Sequence, residues 1–110
     1  MAEFIKGDVI VVPFPFSNLA TSKKRPALVL SALKGEDLIL CQITSKEIID
    51  SYAILLEEAD FEQGSLKQTS NIRPNKIFTA DKNIILYKVG HLKTIIIDKV
   101  IQRIVEILRS

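Results

Sequence analysis

The sequence has too little cysteine to staple itself. Its single thiol, Cys41, excludes an internal disulfide, and no His, Cys, Asp or Glu grouping has metal-ligand spacing, so no metal or cofactor is expected. Cys41 sits mid-strand and reads as a small buried apolar residue. Tryptophan is missing, and His91 is the sole histidine. It matches no motif and reads as a surface or helix-capping residue. No apolar run approaches the ~18 residues of a membrane span, and no secretory pattern opens the chain. The expectation is a soluble, cytoplasmic protein with no membrane partner. Internal repeats, low-complexity stretches and domain boundaries are also missing, so residues 1–110 read as a single domain. What the chain does have is apolar residues, at 47 %, which excludes disorder and supports a workable core.

Those apolar residues are organised around Arg25–Thr44, RPALVLSALKGEDLILCQIT. Two runs, Ala27–Leu30 and Leu38–Ile43, flank a turn at Lys34-Gly35 and read as a hairpin. A turn symmetric about Lys34 and Gly35 pairs Ser31 with Leu38, Leu28 with Cys41, and Arg25 with Thr44. Directly opposed residues share a face, so this register sets a guanidinium beside a hydroxyl at the open end of the hairpin.

Elsewhere, Gly7–Phe16 reads as a buried first strand whose Pro13 and Pro15 place its end at an edge or bend. Ser17–Lys24 is a small polar loop and Lys46–Ser51 a connector. Short strands are expected at Tyr52–Leu56 and Ser70–Ile72, the latter extended past a kink at Pro74 over Lys76–Thr79. Glu57–Lys67 reads as an acidic loop turning at Gly64, and Ile84–Val89 as a further strand. Ile97, Val100, Ile101, Ile104, Val105 and Leu108 recur at helical spacing, predicting an amphipathic helix capped near Thr94. The fold class is mainly β: a small, strongly bent barrel with a C-terminal helix.

Charge is unevenly placed although the net is only +2. Glu47–Glu62 carries six acids and no base, whereas Gln63–Lys93 carries six bases and one acid. Lys23, Lys24 and Arg25 add to the basic side, which suits a polyanion.

Taken in order, GDVIVVPFPFSN, KKRPALVLS, QITS and ADFEQGSLKQTSNIRPNKIF resemble the MazF/PemK toxins of bacterial toxin–antitoxin pairs over nearly the whole chain. The resemblance implies an SH3-like barrel, a homodimer, and a metal-independent endoribonuclease acting on single-stranded RNA. It also implies a cognate antitoxin whose tail blocks the RNA groove. Arg25 and Thr44 match the residues assigned to catalysis in that family, and Arg73 one that contacts RNA phosphate. Ser17, Lys24, Ser45, Ser70, Asn71 and Asn75 are further candidates for RNA contact, with Phe16 and Tyr52 as stacking candidates. Two departures stand out: Asn75 replaces a frequent Asp, and the first loop lacks the histidine some relatives use.

The chemistry is consistent with these residue types. RNA brings its own nucleophile, the 2′-OH, so internal attack needs a base, charge stabilisation at phosphorus and an acid at the leaving 5′-oxygen. Arg25 offers a bidentate fork to phosphate. Its pKa above about 12 makes it a poor base at neutral pH. Thr44 offers a hydroxyl, whereas Ser45 points the other way if the strand continues. Two other readings share the fold: a non-catalytic SH3-like binder of nucleic acid or peptide, and a CcdB-like toxin that binds gyrase. The missing tryptophan near the C-terminus argues against the last.

Overall fold

The computed structural model describes residues 3–14 and 23–110. Among them are β1 (Asp8–Phe14), β2 (Lys23–Ala32), β3 (Asp37–Thr44), β4 (Ile54–Leu56), β5 (Phe61–Gly64), β6 (Ser70–Asp81), β7 (Tyr87–Leu92) and α1 (Thr94–Arg109). The strands form one curled antiparallel sheet in the order β4-β6-β3-β2-β1-β7-β5. The central hairpin is where the sequence placed it, with Gly35 at φ +88 in its turn.

Alternation along the strands splits the apolar residues between two faces. Val9, Leu28, Cys41, Ile43, Ile72 and Leu92 face α1 and pack on its Ile96, Ile97 and Val100. Ile10, Val12, Ala27, Val29, Leu38 and Leu40 make a second core on the opposite face. Each fully buried Ile or Leu contributes about 1.5–3 kcal/mol of transfer free energy, so the sheet is stabilised from both sides.

The expected register holds where Ala27, Leu28 and Val29 pair with Gln42, Cys41 and Leu40, then slips. A bulge between Val29 and Ser31 puts Ser31 opposite Ile39 instead of Leu38. The expected acidic loop contains β5, which pairs with β7, after a 3-10 turn at Glu58–Asp60. The strand expected at Ile84–Val89 begins later, at Tyr87, because Lys82–Ile84 forms a 3-10 turn capped by the Asp81 carboxylate on Asn83 N at 2.8 Å. The strand expected at Ser70–Ile72 does extend past Pro74, as the single strand β6. The cap expected near Thr94 is Lys93, whose backbone carbonyl accepts from Ile96 N and Ile97 N at 3.1 and 3.2 Å.

His91 also departs from expectation. Its Nδ1 lies 2.8 Å from the carboxylate of Asp8, which is fully buried. Lys88 Nζ stands 3.2 Å from the same oxygen, and Ile5 N donates to the other at 2.9 Å. A buried carboxylate without such partners is costly, so His91 is a structural tie between β7 and the start of β1.

Candidate functional site

Two prolines shape one end of the second-core face. Pro26 has no N–H to give, and pairing between β2 and β3 stops beside it, at Ala27–Gln42. Beyond that point β2 pairs with β1, Arg25 opposite Val12. On the other flank of β3, Gln42 pairs with Arg73 and Cys41 with Ile77, so Pro74, Asn75 and Lys76 bulge out of β6. The parted strands leave a cleft of about 350 Å³ lined by Phe14, Arg25, Gln42, Thr44, Lys46, Ile48 and Arg73.

Arg25 and Thr44 reach this cleft as the alternation requires, on the face of Ala27 and Gln42, but as neighbours across a gap rather than a ladder pair. Among the described residues no acceptor takes the Arg25 guanidinium. Thr44 is buried, and its Oγ1 accepts from Lys46 N at 3.2 Å. One lone pair is thereby occupied and the hydroxyl proton stays available to donate. Asn71, paired with Thr44 across the ladder, donates from Nδ2 to Lys46 O at 3.1 Å. Thr44 and Asn71 together hold the residue whose ammonium stem lines the cleft.

Arg73 is fastened at backbone and side chain. Its carbonyl accepts from Cys41 Sγ at 2.9 Å, so the thiol occupies an acceptor at the edge of the bulge. Burial pushes the Cys41 thiol up to about 12, only partly offset by that hydrogen bond, and leaves it protonated at neutral pH. The Arg73 guanidinium lies 3.2 Å from Asp50 Oδ2, while its Nε is buried and has no partner among the described residues. Partial desolvation works against the Asp50 charge. The N–H groups of Ala53 and Tyr52 and the Arg73 guanidinium outweigh it and hold the carboxyl below the usual carboxylate range.

The remaining candidates scatter. Ser17 and Phe16 lie outside the described residues. Lys24 is exposed and alternates away from Arg25, and Ser45 is exposed just past the end of β3. Ser70 is buried, its Oγ donating to Gln68 O at 3.4 Å, and it does not line the cleft. Asn75 sits in the bulge with its Oδ1 buried and without a partner among the described residues. Tyr52 lines a separate groove with Arg103. Gln42, Lys46, Ile48, Phe14 and Asp50 were not anticipated. Gln42 was readable, since it is two residues before Thr44 on the same strand. Asp50 was not, because its approach depends on the path of a connector.

Chemically, the cleft gathers Arg25, Lys46 and Arg73 over a polar floor, with Asp50 engaged on one of them. Such a set binds and stabilises anionic oxygens, phosphate above all.

The profile of one protein family matches residues 5–108: PemK-like, MazF-like toxin of type II toxin–antitoxin system. Among solved structures, the chain is similar to MazF from Deinococcus radiodurans, with TM-score 0.77, 16 % identity and 100 % of each chain covered. It is similar to the MazE-MazF complex from the same organism, with TM-score 0.77, 17 % identity and 97 % of each chain covered. It is also similar to a mycobacterial endoribonuclease in complex with its cognate antitoxin, with TM-score 0.74, 14 % identity, and 98 % of this chain and 95 % of that one covered. At such identities these likenesses show the fold. A sequence search of curated proteins found no match.

Proposed function

The chain belongs to the PemK-like, MazF-like toxin family of type II toxin–antitoxin systems, and from that premise we propose that it is a sequence-selective endoribonuclease cleaving single-stranded RNA at the Arg25–Thr44–Arg73 cleft. The observation that carries the reading is the gathering of these side chains where Pro26 and Pro74 break the ladders.

In this reading the scissile phosphate sits over the floor of the cleft. The 2′-oxygen of the preceding ribose attacks phosphorus, its proton passes to a base, and a phosphorane forms. Arg25, with no internal partner among the described residues, has its fork available for the phosphorane oxygens. Donors aimed at charge that grows in the transition state contribute most to such catalysis. The Thr44 proton points to the same group, while its lone pair is held by Lys46 N. Arg73 and Lys46 hold a phosphate oxygen or the next phosphate along the strand. Collapse breaks the bond to the 5′-oxygen, which takes a proton and leaves as 5′-OH, while the other fragment ends in a 2′,3′-cyclic phosphate. The substrate supplies the nucleophile, so the step needs no bound metal.

The partners follow the family: a cognate antitoxin, and a second copy of the chain. The site of action is the cytoplasm; among the described residues no helix is long and apolar enough to cross a membrane. The test is incubation with a long RNA followed by mapping of the cut sites and their end groups. Discrete cuts with 5′-OH and cyclic-phosphate ends are expected. RNA retained but uncut would mark a binding protein instead.

A further inference from the structure

We propose that Asp50 is a positioning residue, whose carboxylate holds the Arg73 guanidinium at the cleft, and that Arg103 of α1 fixes the loop that presents it. The inference rests on the reading of the cleft as an RNA-cleaving site. It assigns a role to a loop, residues 45–53, that touches no core strand as a ladder partner.

The loop is latched at both ends by groups outside it. At its start, the Thr44 hydroxyl and the Asn71 amide hold the N–H and C=O of Lys46 at 3.2 and 3.1 Å. At its end, Arg103 Nη1 donates to the carbonyls of Ser51 and Tyr52 at 3.1 and 2.9 Å. Between the latches, Asp50 divides its two oxygens. Oδ1 accepts from Tyr52 N and Ala53 N, both at 3.0 Å, which fixes the carboxylate plane within the turn. Oδ2 is left facing outward and meets Arg73 at 3.2 Å.

That geometry suits positioning better than quenching. A guanidinium has five N–H donors in a planar fork. The Asp50 contact is made by a single terminal nitrogen, so other donors remain for phosphate. An arginine with several rotatable bonds, tied at its backbone carbonyl by Cys41 and at its tip by Asp50, has little freedom left. Misplacement of a catalytic-site group by about 1 Å is enough to cost on the order of 10² in rate.

The bland alternative is a partly buried ion pair of little consequence. The two accounts differ in sign. Asp50→Asn keeps an acceptor for Tyr52 N and Ala53 N and removes the negative charge that faces the Arg73 guanidinium. If Asp50 only adds negative charge near the cleft, the variant binds RNA more tightly and cleaves at an unchanged maximal rate. If it positions Arg73, the maximal rate falls about tenfold while half-saturation does not worsen. Arg103→Gln lowers the maximal rate in the same direction by less. In an Arg73→Ala background neither change alters the rate further.

The experiment measures single-turnover cleavage of one transcript that the wild-type protein cuts, with these variants alone and combined. Alongside it, amide-type exchange of the Arg73 Nε–H signal is followed by NMR in the absence of RNA. Faster exchange in Asp50→Asn is expected. An unchanged signal, an unchanged maximal rate, or an equal loss in the Arg73→Ala background overturns the proposal. A wild-type protein that cuts no RNA overturns the enzymatic reading instead, and the NMR arm still decides whether Asp50 orders Arg73.

Discussion

Arg25 and Thr44 meet because of what lies between them in the sequence: one two residues before Ala27, the other two residues after Gln42, which pairs with Ala27. That arithmetic was legible from strand alternation alone. The gap separating them was not, since it depends on Pro26 ending one ladder while another continues. Asn75 is one of the two departures from the resemblance drawn from the sequence. Its side chain lies in the β6 bulge with a buried oxygen that meets no donor among the described residues, a poor setting for an ionised carboxylate. Asn75→Asp is accordingly expected to change the cleavage rate by less than about tenfold and to add no acidic limb to the pH profile. A gain of a hundredfold with a carboxylate-like titration would show the natural protein to be attenuated. Cys41 gives a separate prediction. Its thiol is held up to about 12 by burial, so the native protein should react slowly with a thiol reagent at pH 8 and promptly once unfolded. The same raised value means that its contribution to stability is intact below about pH 8.5, the ordinary thiol value. It is lost as pH rises toward about 12. Rapid labelling of the folded protein would contradict the burial.

At the scale of elements, the long apolar segments were readable and the short polar ones were not. β3 and α1 declare themselves by alternation and by helical spacing. β5 does not, because Phe61–Gly64 has one buried residue followed by exposed ones and is a strand only through its partner. Its docking depends on glycine at two facing positions, Gly64 and Gly90. A Cβ on Gly90 would run into the Gln63 carbonyl and the Phe61 ring. Gly90→Ala is therefore expected to destabilise the fold by about 1–3 kcal/mol, read as a lower denaturation midpoint. An unchanged midpoint would mean that β5 contributes little. At β6 the kink at Pro74 and the resumption over Lys76–Thr79 were both readable, whereas the size of the bulge, Pro74 to Lys76, is set by the β3 register.

At the scale of the molecule, several large apolar side chains stay in solvent, with Ile49 96 %, Ile95 79 % and Leu108 76 % exposed. Leu108 belongs to the apolar spacing of the helix, which can pack on the β body or on another subunit, and within one chain only Ile96, Ile97 and Val100 of α1 are buried. Large apolar side chains left in solvent are suited to an interface, and the family points to a second copy. The protein is expected to be a two-fold dimer; a monomer in light scattering at micromolar concentration would contradict this. Whether the Arg25 cleft cleaves RNA without metal is read from the cleavage rate of a single RNA in excess EDTA, by the wild-type protein and by Arg25→Ala of demonstrated native fold. The wild-type protein should cut undiminished by the chelator, and Arg25→Ala should be slower by about 10²–10³, the loss expected when a principal transition-state donor is removed. Cleavage by Arg25→Ala at the wild-type rate, or wild-type activity abolished by EDTA and restored by magnesium, would contradict the account.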